Sequence, residues 1–268
     1  MIKFLIFSKD RAAQLACLLQ SMGRFNCSNN INISVLYKTT HEDYQVAYDR
    51  VVSENGFDFV KENNFYNDTL SIINNTKEEY IALSTDDTFL FRDFCLDGIL
   101  DEVMKKCDVF SLRYGYNTIV QDIHAKTYQP GLRRPVELHE GKILQWRWTD
   151  YDPLHNYGYP FGLDMHIFKT RQLLALLSTF QWSNTNQMES GLFHLKYKIS
   201  PYISSFSQSV AVNIPINSIS GVTLAGQYYF YSVEDLNRAF LDGYKITYDF
   251  KPEDIKGCHQ EVPVLLVK

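Results

Sequence analysis

The chain has 268 residues, 45% of them hydrophobic and 15% aromatic, which is enough for a large core in one domain or in two subdomains that share one. A formal net charge of -5 and no dense Lys/Arg cluster argue against a nucleic-acid binder, which presents a basic face. Five cysteines (Cys17, Cys27, Cys95, Cys107 and Cys258), odd in number and never spaced C-x-x-C, argue against a disulfide framework or zinc site and for a reducing compartment.

In chain order, Ile2 to Phe7 reads as a buried strand, and Asp10 as the cap of a helix carrying Leu15, Leu18, Leu19 and Met22 at helical spacing. Ile31 to Tyr37 is a second strand. His41 to Ser53 is a helix with Tyr44, Ala47, Tyr48 and Val51 on one face. Phe57 to Val60 is a short strand, and a third helix opens at Asn67 or Asp68 and runs to Asn75. Tyr80 to Leu83 is a fourth strand; Leu96, Ile99, Leu100 and Val103 repeat the helical spacing; Val109 to Leu112 is a fifth strand. This alternation predicts an α/β fold with a mostly parallel central sheet flanked by helices. Residues 113–160 lack periodicity and read as long loops with short strands. Tyr159 to Phe168 is strand-like, Thr170 to Leu177 and Asn186 to Tyr197 are helices, and Ser232-Val-Glu-Asp235 is a capping box for a helix that Gly243 closes. The terminal VPVLLVK is another strand.

Asp86 and Asp87 interrupt the apolar run YIALSTDDTFLF just beyond the fourth strand. In a parallel sheet, ligands sit outside the carboxyl ends of the strands. The pair is either a turn or local cap, or a set of oxygen ligands for a hard divalent cation that keeps positions open for phosphate. Asp164 is an isolated carboxylate in PFGLDMHIF, which calls for a partner (Arg171 or His166) or a function. Glu189 lies three residues after Asn186, which fits a capping box as well as a chemical role. Trp146, Trp148, Tyr151, Tyr157 and Tyr159 crowd the approach to Asp164, either as core or as faces for sugar C–H groups.

STDDTFLF at the end of the fourth strand resembles the DxD region of family 2-like glycosyltransferases of the GT-A fold, with Thr85 where a strict motif has its first Asp. The strand and helix of IKFLIFSKDR and the helix ending at Asn75 match the same organisation. The resemblance implies one GT-A domain, with residues 1–112 as the nucleotide-sugar half and 113–268 as the acceptor half with a closing tail. It implies that Ser8, Arg11, Tyr37, Lys38 and Asp86 face the nucleotide. It implies that Asp87 binds Mn2+ or Mg2+, with His259 of the tail completing the metal sphere. Asp164 falls in the segment leading to the acceptor-side strand. Glu189 takes the place of the xED acceptor motif, with Ser190 where the usual Asp stands. The implied activity is transfer of a sugar from a nucleotide-diphosphate donor to a hydroxyl of a glycan or lipid-linked acceptor.

No run of ~18 apolar residues predicts a membrane span, and the apolar stretch of MIKFLIFSKDR is too short for a signal peptide. These features place the expected enzyme in the cytoplasm, meeting lipid-linked acceptors at the membrane surface. The N-x-S/T sequons at Asn26, Asn32, Asn67 and Asn74 matter only in a secreted chain. GxGxxG, Walker A, GxSxG and HExxH motifs are absent. Two alternatives stay open. One is a non-catalytic glycan-binding protein on the same fold. The other is a sugar nucleotidyltransferase, although FSKDRAAQL lacks the glycine-rich loop usual there.

Overall fold

The strand Ile2–Lys9 (β1) carries Phe4 and Ile6 into one core and Leu5 and Phe7 into another, so both of its faces are covered. A strand buried on both sides is what an interior parallel strand requires. The computed structural model describes residues 1–122, 127–217 and 231–268. Its strands continue as Ile31–Lys38 (β2), Asp58–Lys61 (β3), Tyr80–Thr85 (β4), Thr88–Leu90 (β5), Val109–Ser111 (β6), Val120–Asp122 (β7), Thr127–Tyr128 (β8) and Val136–Leu138 (β9). Ile143–Arg147 (β10), His166–Lys169 (β11), Tyr202–Phe206 (β12), Ala211–Asn213 (β13), Lys245–Tyr248 (β14) and Val264–Val267 (β15) complete the described set.

Nine of them form one sheet in the order β3-β2-β1-β4-β11-β6-β12-β10-β9. Seven of the nine run in one direction; only β11 and β10 are reversed. This is the α/β class with a mostly parallel central sheet, in a single compact domain, that the alternation of elements predicts.

Helices cover both faces. Ala12–Phe25 (α1), Glu42–Glu54 (α2) and Val233–Leu241 (α7) pack together on one side. Phe65–Asn75 (α3), Thr170–Leu177 (α5) and Thr185–His194 (α6) pack on the other. The fourth helix, α4, is only Leu100–Val103. In α2 the buried residues are Tyr44, Ala47, Tyr48 and Val51, the face that the spacing predicts. The Ser232 hydroxyl accepts the Asp235 N–H at the start of α7, and Gly243 (φ 92°) takes the left-handed conformation just beyond its end. Among the described residues no helix is long and apolar enough to cross a membrane.

Several expectations are corrected. Asp10 does not cap α1: with φ 54° it turns away, and its carboxylate accepts the N–H and hydroxyl of Thr40 at 2.7 and 2.9 Å. The helix α3 starts earlier than expected, because Asn64 is its cap and accepts the Asn67 N–H at 2.9 Å. Asn184, not Asn186, caps α6, and Gln187 bonds back to the Ser183 N–H, so Glu189 has no part in that box. The helix ends at His194, before Tyr197. Of the segment from Tyr159 to Phe168 only the last three residues are strand, the start of β11, so Asp164 stands in the bend before it, next to Met165 at φ 55°.

Candidate active site

The carboxyl ends of β1, β2 and β4 open into a crevice of about 950 Å³. Seven of the nine predicted site residues line it: Ser8, Arg11, Lys38, Asp87, Asp164, Glu189 and His259.

The turn at Asp10 sets the β1 side of the crevice. Arg11 follows it without a side-chain capping bond, and its guanidinium spans both aspartates. Nη2 is ion-paired with Asp86, and Nη1 is 3.4 Å from Asp87 Oδ2. Ser8 donates its hydroxyl to Asp86 at 2.7 Å and touches the Tyr48 hydroxyl. Asp86 is buried, and burial pushes its carboxyl up to about 6, with Arg11 pulling down and Asp87 adding to the rise.

Two residues expected to face the nucleotide, Asp86 and Tyr37, do not line the crevice. Asp86 lies beneath the crevice floor, taken up by Arg11 and Ser8. Tyr37 is buried, with its ring stacked on Tyr48 at 4.7 Å and edge-on to Phe59, so it does not present a free face to a base. Lys38 does reach the wall, paired with Glu62 at 2.8 Å.

Asp87 faces Asp164 across one hydroxyl. Thr85 Oγ1 is 2.7 Å from Asp87 Oδ1 and 2.5 Å from Asp164 Oδ1, so a single hydrogen serves two carboxylates. Asn213 Nδ2 donates to Asp87 at 3.1 Å, and its Oδ1 accepts from Arg113. Arg113, fully sunk in the protein, pairs with Asp164 Oδ2 at 2.6 Å. Asp164 thus finds its partner in Arg113, neither in Arg171 nor in His166. Burial alone would raise the Asp164 carboxyl, but Arg113 first, then His259, Thr85 and Asn213, hold it below its ordinary value.

Glu189 projects from α6 into the same crevice, half-buried. Burial and the nearby charge of Asp164 push its carboxyl up to about 7, against the pull of the Tyr159 hydroxyl and of Arg113. His259 comes from the tail, which pairs with β13: Asn213 N–H donates to Cys258 O, and Gln260 N–H donates to Asn213 O, both at 2.9 Å. Asp87 and His259 therefore flank Asn213.

Sequence reasoning did not single out Arg113 or Asn213. The signal for Arg113 was its place just beyond a predicted strand, as Asp86 and Asp87 lie just beyond β4. The aromatic group is mostly core: Trp146, Trp148 and Tyr157 are buried, and Tyr159 stacks on Phe193 at 4.8 Å.

Among the described residues, no group of three or more His, Cys, Asp and Glu side chains could by itself hold a metal ion. One carboxylate and one imidazole fit a Mg2+ or Mn2+ ion that draws its other ligands from phosphate and water. Asp87 and His259 both line the crevice and could supply such a pair.

No known family profile matches the chain, and no curated protein matches it. Among solved structures it is similar to residues 1–349 of S. aureus TarS in complex with UDP-GlcNAc. The TM-score is 0.50 at 11% identity, over 83% of this chain and 61% of that one. The same S. aureus protein in complex with UDP gives 0.48 at 12% identity, over 79% and 59%. The mannosyltransferase PcManGT from Pyrobaculum calidifontis, in complex with GDP-Man and Mn2+, gives 0.42 at 10% identity, over 76% and 56%. The chain spans about three-fifths of the length of the TarS chain seen with UDP-GlcNAc. Its fold is that of the GT-A nucleotide-sugar glycosyltransferases.

Proposed function

We propose that this chain is a glycosyltransferase that moves a sugar from a nucleotide-diphosphate donor to a hydroxyl of a glycan or lipid-linked acceptor, with Mn2+ or Mg2+. The observation that carries the reading is one crevice holding both halves of the needed chemistry. A guanidinium and a half-buried carboxylate stand at the ends of the parallel strands, and a second carboxyl sits near neutrality across from them. Arg11, whose guanidinium spans the two aspartates, brings to the crevice wall a positive charge that suits a diphosphate. Asp87 and His259 would hold the divalent cation, which when bound neutralises charge on the departing diphosphate. Glu189 is the base: as the acceptor oxygen bonds to the anomeric carbon and the bond to the diphosphate breaks, its carboxylate takes the hydroxyl proton. Arg113 keeps Asp164 ionised beside it, so the Glu189 carboxylate is made more basic by a fixed neighbouring charge.

The test is a thermal-shift panel of UDP, GDP, CDP, dTDP and CMP, each with and without Mn2+. A ligand at about 100 times its Kd adds about 2.7 kcal/mol, a shift of several degrees for a chain of this size. One diphosphate stabilising with metal, and losing that metal dependence in Asp87→Asn, is the expected result. A shift that ignores metal removes Asp87 and His259 as ligands. No shift with any nucleotide overturns the reading in favour of a glycan-binding protein.

A further inference from the structure

At the far end of α1 from the crevice, Asn26 and Phe94 form a parallel bridge. The Phe94 N–H donates to Phe25 O at 3.0 Å and the Cys27 N–H donates to Phe94 O at 3.1 Å. The next residues in register are Cys27 and Cys95. In paired extended segments the side chains alternate, so this pair shares one side, opposite to Asn26 and Phe94. Neighbouring strands lie about 4.8 Å apart, inside the Cα separation a disulfide spans. Cys95 is the leading influence on the Cys27 thiol, and both cysteines are free. The segments are pinned on either side: Phe94 is buried, the Leu96 N–H donates to the Ser28 hydroxyl at 2.8 Å, and the Asn29 N–H to Asp97 at 3.1 Å. Cys27 is exposed and Cys95 half-buried, whereas Cys17, Cys107 and Cys258 are buried.

We propose that Cys27 and Cys95 are a disulfide-forming pair that staples the distal end of α1 to the segment leaving β5. Both segments carry crevice residues at their other ends, Arg11 at the start of α1 and Asp87 just before β5. The cross-link closes a loop of about 70 residues, which restricts the unfolded chain and leaves the crevice open. A small disulfide R–S–S–R of the oxidised-glutathione type is the oxidant. One protein thiolate attacks one sulfur of R–S–S–R, forming a mixed disulfide and releasing R–S⁻. The second protein thiolate then attacks the protein sulfur of that mixed disulfide, forming the Cys27–Cys95 bond and releasing the second R–S⁻. Two protein thiols are oxidised, one R–S–S–R is reduced, and the two thiol protons end on the two released R–SH molecules. Cys95 first, then desolvation and the charge of Asp97, hold the Cys27 thiol above its ordinary value, so the exchange runs best at mildly alkaline pH.

The experiment treats the folded chain with oxidised glutathione at about pH 8.5, the regime in which an ordinary thiol is substantially thiolate. Expected are a product two hydrogens lighter, a Cys27–Cys95 peptide in the non-reduced digest, and loss of both native-state reactive thiols. A rise in Tm on the order of 10 °C over the reduced form accompanies them. Cys27→Ser and Cys95→Ser each stop at a single glutathione adduct. The proposal is overturned if the wild type accumulates two glutathione adducts without an internal cross-link, if the digest pairs other cysteines, or if either serine variant still yields the lighter product.

Discussion

Glu189 is placed where a change of proton occupancy alters the chemistry open to the crevice. Its carboxyl, pushed up to about 7 by burial and Asp164, is mostly protonated at pH 6 and mostly ionised at pH 8. A base must be ionised, so with Glu189 in the proposed role kcat/KM rises tenfold per unit of pH below about 7 and levels above it. Glu189→Gln removes that limb and lowers kcat by about 10²–10⁴ with the fold retained; an unchanged pH profile would assign the base elsewhere. Arg113 makes a different claim. Its guanidinium is buried and Asp164 is half-buried at the crevice wall, so Arg113→Met leaves that carboxylate without its ion partner and costs about 1–3 kcal/mol in urea unfolding. Adding Asp164→Asn to that background returns part of the loss, because a neutral amide is cheaper to bury. The sequence shows that Asp164 is an isolated carboxylate in apolar company and that Glu189 lies three residues after Asn186. It does not show Arg113 reaching Asp164 across 51 positions, because nothing local marks that pairing.

The helix α6 shows how one element decides which residue is free for chemistry. Both Asn184 and Asn186 suit a cap, and the choice between them is two residues of register. Asn184 wins because its Oδ1 meets the Gln187 N–H at 2.9 Å while Gln187 Oε1 returns to the Ser183 N–H at 2.8 Å. Asn184→Ala therefore lowers stability by about 1 kcal/mol, and Asn186→Ala stays within about 0.5 kcal/mol. Equal losses from the two, measured by chemical denaturation, would put the cap back at Asn186 and return Glu189 to a structural role. Elements with a full amphipathic period were legible: α2 buries the four residues that its spacing names. The spacing of Leu96, Ile99, Leu100 and Val103 yields only a one-turn helix, because Gly98 (φ 75°) bends the chain just before it. The three-residue strands β5 and β13 carry too few residues to show any period, yet β13 supplies Asn213.

Across the whole molecule, the reversed strand β11 inserted between β4 and β6 brings Asp164 beside Asp87. That pairing joins residues 80–83 to residues 166–169, a long-range choice that local patterning does not encode. The first residue of β11 is His166, with no exposed surface, edge-on to Tyr114 at 4.9 Å and overlying Phe168. Gly162 lies against its ring, where an added Cβ would come within 2.8 Å of Cε1. Burial first, and then the charge of Arg113, depress its pKa from 6.5 to about 3. In the unfolded chain the imidazole binds a proton below 6.5, whereas in the folded chain it does not until about 3. Its contribution to stability is therefore present above pH 6.5 and is lost as the pH falls, at up to about 1.4 kcal/mol per unit. Asp86 and Glu189 act oppositely, because raised carboxyls take up protons in the folded state first and favour folding as the pH falls. The wild-type curve alone mixes these signs, so the difference from His166→Phe isolates the histidine. The aromatic variant gains about 3 kcal/mol relative to wild type between pH 7 and pH 4 in urea unfolding, whatever its offset at neutral pH. Parallel curves would mean that the imidazole is protonated inside the sheet, and that the contact with Asp164 O at 3.1 Å is a charged hydrogen bond.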